Sequence, residues 1–126
     1  MRMKGTRVSL LESKDEIEAE EVVDEYTSKS ELELALEKAL SDKDYRLAVR
    51  VTFLLALHSL ESRNYILIEK SKTIPQYIYE LDGKKERSEL SDLAYLFNYA
   101  WYGGFEVDQE SYTKANQYYQ KISGVK

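Results

Sequence analysis

Asp44-Tyr45-Arg46-Leu47-Ala48-Val49-Arg50-Val51-Thr52-Phe53-Leu54-Leu55-Ala56-Leu57-His58-Ser59-Leu60-Glu61-Ser62 decides the fold. Tyr45, Ala48, Val49, Thr52, Leu55, Ala56, Ser59 and Leu60 fall on one side of a 3.6-residue period. Leu47, Val51, Leu54 and Leu57 cover much of the remainder. A helix that is apolar on most sides must be surrounded by other elements. Asp44 supplies an N-cap acceptor. The predicted helix, residues 44–62, is about 28 Å long, which matches the width of a domain of this size.

The neighbours of this segment read as the helices that surround it. Upstream, Ser30-Glu31-Leu32-Glu33 has the form of a capping box, in which Ser30 accepts the Glu33 backbone N–H. Leu32, Ala35, Leu36, Ala39 and Leu40 then make one apolar stripe, ending near residues 41–43. Downstream, Arg63-Asn64 stops the central helix. Residues 65–69 begin with a β-prone run, Tyr65-Ile66-Leu67-Ile68, which is read as an extended segment or one short strand. Thr73 is placed to cap a short helix that tolerates Pro75 in its first turn. Its stripe is Ile74, Tyr77, Ile78 and Leu81, and Asp82-Gly83 ends it.

Ser88 is expected to cap a further helix, with Leu90, Leu93, Ala94, Phe97, Ala100 and Trp101 in period. Gly103-Gly104 is expected to end it, because glycine readily takes the left-handed C-terminal conformation. Asp108 caps the last helix, with stripe Tyr112, Ala115, Tyr119 and Ile122, closed by Gly124. The fold class is therefore all-α: a compact bundle of about five helices around a buried central helix (44–62), forming a single helical domain over residues 30–124. Residues 1–29 read as an acidic arm or linker, partly disordered, with a short helix allowed near 14–24.

Composition narrows function mainly by exclusion. The chain has 126 residues, 43% apolar and 33% charged, with one proline and five glycines, as expected of one globular helical domain. It has no cysteine, so disulfides, thiolate metal sites and cysteine nucleophiles are excluded. The longest apolar run, residues 51–57, falls far short of the ~20 residues of a membrane span. Residues 1–11 lack the apolar region of a signal peptide. Of the net charge of −5, residues 12–25 carry −7, from eight acidic residues against Lys14, which leaves the rest at +2. No strongly basic face is expected, which argues against nucleic acid as a partner.

Motifs for chemistry are also missing. His58 is the single histidine, set among Leu54, Leu57 and Leu60. It reads as a core-edge residue rather than a general base or metal ligand, since the further histidine or cysteine of most zinc sites does not exist here. Glu16 with Glu20, and Glu21 with Glu25, would share a face if the arm were helical, but no Asp-x-Asp-x-Asp-Gly calcium loop is present. There is no Gly-x-x-x-x-Gly-Lys loop, Gly-x-Ser-x-Gly elbow or Gly-x-Gly-x-x-Gly turn. No catalytic residue, cofactor or metal is assigned, and the chain is read as a non-enzyme. The remaining feature is aromatic. Tyr95, Tyr99 and Tyr102, with Asn98 between them, trace the side of the 88–102 helix opposite its core stripe. Either that helix is packed on two sides, or Tyr95, Asn98, Tyr99 and Tyr102 form a partner surface, since tyrosine combines apolar area with a polar tip.

A resemblance covers roughly residues 32–122. Asp44-Tyr45-Arg46-Leu47-Ala48-Val49-Arg50, Leu54-Leu55-Ala56-Leu57, Ile66-Leu67-Ile68 and Lys72-Thr73 with Tyr77 and Leu81 occur in that order. Leu96-Phe97-Asn98-Tyr99-Ala100-Trp101-Tyr102-Gly103-Gly104, Val107-Asp108 and Tyr112 follow. In order and spacing this resembles the uncharacterised family called "domain of unknown function 4129". Trp101-Tyr102-Gly103-Gly104 is the most specific piece. Members commonly carry Lys-Thr-Asn-x-Glu-Tyr at the short helix; here the cap Thr73 and Tyr77 survive, and the polar positions between them do not. The resemblance implies a helical domain at the C-terminal, often cytoplasmic, end of a membrane protein, sometimes with a transglutaminase-like domain upstream. The Cys-His-Asp chemistry of that domain cannot reside in a chain without cysteine. On this basis the expected function is a non-catalytic interaction or regulatory domain at the cytoplasmic face of a membrane protein, with a protein partner and with membrane contact only through a segment outside this chain. A tetratricopeptide-like scaffold is the first alternative, suggested by the turn from Ala39-Leu40 into Asp44–Ala48. A winged-helix nucleic-acid binder is the second, opposed by the balanced charge of residues 60–90. Oligomeric state is left open.

Overall fold

The computed structural model describes residues 28–103 and 106–124. Among them are five helices and no strand: α1 (Lys29–Ser41), α2 (Tyr45–Ser62), α3 (Ile74–Glu80), α4 (Glu86–Tyr102) and α5 (Gln109–Ser123). The expected all-α bundle is present. Of the arm read over residues 1–29, residues 1–27, with the candidate helix and carboxylate pairs, lie outside the described residues, while Ser28 and Lys29 belong to the start of α1 as its cap and first residue.

Helix α2 is the centre, packed against α1, α4 and α5. Ten of its residues are buried, from Ala48 to Leu60. Phe53 stacks on Phe97 of α4 with ring centroids 5.1 Å apart. Leu32 of α1, Ala115 and Ile122 of α5, and Leu90 and Leu93 of α4 close the core. Helix α4 also packs on α5, and α3 leans on α4, adding Ile74, Tyr77 and Leu81. No helix of the described residues is long and apolar enough to cross a membrane.

Asp44, Thr73 and Asp108 cap their helices as expected, accepting from the N–H groups of Leu47, Gln76 and Ser111. Thr73 and Gln76 form a reciprocal capping box, and Gly124 takes the left-handed conformation at φ 81°. Three helix ends differ from expectation. The α1 box is Ser28 with Glu31, not Ser30 with Glu33. Both pairs have the right spacing, and the upstream one adds helical hydrogen bonds, including Leu32 N–H to Ser28 C=O at 3.1 Å.

Helix α4 begins at Glu86, upstream of Ser88, and its N-cap position, Lys85, makes no side-chain cap. The cause is tertiary. The Glu86 carboxylate, 5% exposed, is drawn inward to Arg63 at 3.2 Å, and it sits favourably in the first turn of a helix. Gly103 is right-handed, at φ −75°, so it does not supply the left-handed stop. The last carbonyls of α4 are instead reached by Arg46 of α2, whose Nε donates to Ala100 O at 3.1 Å and whose Nη2 donates to Trp101 O at 3.0 Å.

The run 65–68 forms no strand: it opens on a bend at Tyr65 and continues without regular secondary structure. Its N–H groups are taken by side chains: Leu67 donates to Glu80 at 3.1 Å and Ile68 to Glu61 at 2.8 Å. Glu69 exchanges two bonds with the Tyr77 hydroxyl, and Lys72 bridges Glu80 and the Leu67 carbonyl. With these donors satisfied and Ile66 buried, a partner strand is not required.

Candidate functional site

Because α4 buries Leu90, Leu93, Ala94, Phe97 and Ala100, residues four apart on its other face are turned outward. Tyr95 is 72% exposed and Tyr99 38% exposed. Asp108 holds the start of α5 next to this face. Together Tyr95, Leu96 and Tyr99 with Asp108, Glu110, Ser111 and Lys114 line an open cleft of about 290 Å³ between α4 and α5. The Asp108 carboxyl is held below its ordinary value by the backbone N–H and hydroxyl of Ser111. The cleft therefore presents two phenol rings, two carboxylates, of which that of Asp108 is fixed, and one lysine.

The four candidate residues do not act as one stripe. Tyr95 and Tyr99 line the cleft, whereas Asn98 and Tyr102 are half-buried and do not. The Asn98 Oδ1 atom is buried without a hydrogen-bond partner among the described residues. Tyr102 lies at the far end, beside Trp101. Trp101, expected in the core, is half-buried, with the guanidinium carbons of Arg46 and Arg50 4.1 and 4.3 Å from its ring centroid. The two arginines were not expected as site residues. Their trace in the sequence is their position four apart on an otherwise apolar helix, which puts both on one face.

His58 is half-buried at the C-terminal half of α2. Burial lowers its pKa and Lys29 adds to that, against the pull of Glu61. Burial also raises the phenols of Tyr77, Tyr112 and Tyr119, which are packing residues. Among the described residues no group of three or more histidine, aspartate or glutamate side chains is placed to hold a metal ion. No protein-family model, curated protein or solved structure matches the chain.

Proposed function

We propose that this chain is a non-catalytic interaction domain whose partner is a protein that docks on the Tyr95–Tyr99 face and the adjoining α4–α5 cleft. One observation carries the reading: two large phenol rings stand exposed on a helix whose other side is fully committed to the core. Exposed aromatic area beside fixed polar groups suits a protein interface, where tyrosine is enriched. The acidic rim of Asp108 and Glu110 favours a partner that brings a basic group. The test is affinity capture from a lysate of the source cells with the full chain and with Tyr95→Ser/Tyr99→Ser. The reading expects a partner that the double variant fails to retain, and an unchanged set of captured proteins would overturn it.

The resemblance supports a second element of the proposal, that this domain hangs at the cytoplasmic face of a membrane protein. That element is read directly from the gene. A frame that continues upstream of the Met1 codon into an apolar span of ~20 residues supports the tether. An in-frame stop upstream of Met1 removes it.

A further inference from the structure

The α4–α5 face is built so that a twofold rotation turns it into its own complement. Helices α4 and α5 run antiparallel, since Arg63 bonds both to Glu86 at the start of α4 and to the Ile122 carbonyl at the end of α5. On the α4 side the cleft is lined by two residues of one kind, Tyr95 and Tyr99, four positions apart. On the α5 side it is lined by two residues of opposite charge, Glu110 and Lys114, also four positions apart. All four are exposed. Positions four apart sit one above the other on a helix face. Because one cleft holds both pairs, the midpoint of Tyr95 and Tyr99 and the midpoint of Glu110 and Lys114 lie at similar height along the two helices. A single twofold axis can therefore pass through both midpoints, in the plane of the face and perpendicular to the helices. It places Tyr95 opposite Tyr99 of a second copy and Glu110 opposite Lys114 of that copy, each pairing occurring twice.

We propose that the occupant of this face is a second copy of this chain, docked antiparallel about that axis. Such a dimer rests on the Tyr95–Tyr99 face being a partner surface. It supplies the basic group that the acidic rim of Asp108 and Glu110 favours, namely Lys114 of the second copy. Four phenol rings meet at the centre, where offset stacking adds to the area buried. The two pairs of Glu110 with Lys114 flank them at the rim, where charges fix register and orientation more than affinity. Stacking α5 on α5 in parallel would put like charges opposite each other, so the charges select the antiparallel register. So few anchors make a small interface, and the dimer is a weak one that dissociates roughly in the micromolar to millimolar range.

The test is sedimentation velocity of the purified full chain, from micromolar to millimolar concentration at physiological salt. The expected result is a reversible monomer–dimer equilibrium that Tyr95→Ser/Tyr99→Ser abolishes. Glu110→Lys and Lys114→Glu should each weaken it ~tenfold or more, since each makes both rim pairs like-charged. An equimolar mixture of these two variants should associate as the unaltered chain does, because every rim pair across a mixed dimer is again opposite in charge. Rescue by mixing also excludes a folding defect in either variant as the cause of the loss. A chain that stays monomeric throughout would overturn the second copy as occupant. So would a dimer that neither charge reversal weakens, or one that mixing does not restore. The partner surface itself is read separately, by capture. A monomeric chain from which Tyr95→Ser/Tyr99→Ser still strips a captured protein keeps that surface and loses only the dimer, whereas a monomeric chain with unchanged capture loses both.

Discussion

Arg46 illustrates how one side chain closes a helix that its own sequence leaves open. It donates to two orphan carbonyls of α4 and lies 4.1 Å from the Trp101 ring centroid. Charge-assisted hydrogen bonds of this kind contribute about 2 kcal/mol, so Arg46→Ala is expected to lower unfolding stability by that amount in urea titration. Lysine should recover little of it, because a single ammonium cannot reproduce the fork. Thr52 tests the opposite case. Its hydroxyl is buried without a hydrogen-bond partner among the described residues, and Val has the same shape without the polar atom. Thr52→Val is therefore expected to raise stability by about 1 kcal/mol in the same titration.

His58 gives the pH dependence. Its folded pKa lies below its ordinary value near 6.5, because burial disfavours the charged ring. Between the folded and unfolded values the unfolded chain binds the extra proton, so the folded state loses stability as pH falls below ~6.5. The loss levels off once pH drops below the folded pKa. His58→Gln should remove this component, flattening the difference between unfolding curves at pH 7.5 and at pH values just under 6. An equally steep acid loss in the variant would assign the effect to carboxylates elsewhere.

At the scale of elements, the turns after α1 and α2 each use a left-handed residue, Lys43 at φ 58° and Asn64 at φ 62°. Asparagine tolerates that region, whereas lysine carries a Cβ penalty of ~1 kcal/mol. Lys43→Gly is therefore expected to stabilise the chain by up to about 1 kcal/mol, read as a higher urea midpoint with an unchanged slope. What was legible in the sequence sorts by range. Asp44, Thr73 and Asp108 cap within three residues of themselves, and the stripes of α2 and α4 follow a local period, so both could be read directly. The true start of α4 could not, because a contact 23 residues away, from Arg63 to Glu86, decides it. Nor could the end of α4, where Arg46 acts across 54 and 55 residues. Which of the two readings of 65–68 holds, non-strand segment or short strand, was closed to the sequence for the same reason, since the carboxylates that occupy its N–H groups come from α2 and α3.

At the scale of the whole molecule, α4 divides its labour by face. Leu93 and Phe97 are 0% and 1% exposed, while Tyr95 and Tyr99 look outward over the α4–α5 cleft. The tyrosine face was visible in the sequence as a stripe. Its division into an exposed pair and a half-buried end was not, because the placement of α5 makes that division. Exposed substitutions that touch no core atom usually change stability by less than ~0.5 kcal/mol. Binding and stability should therefore come apart on this face. The most direct measurement is Tyr95→Ser/Tyr99→Ser in urea unfolding and in partner capture, side by side with the unaltered chain. The expected result is an unfolding free energy within ~0.5 kcal/mol of the original together with loss of the partner. A stable variant that keeps its partner, or a variant that loses several kcal/mol on unfolding, would contradict an outward-facing tyrosine surface as the seat of function.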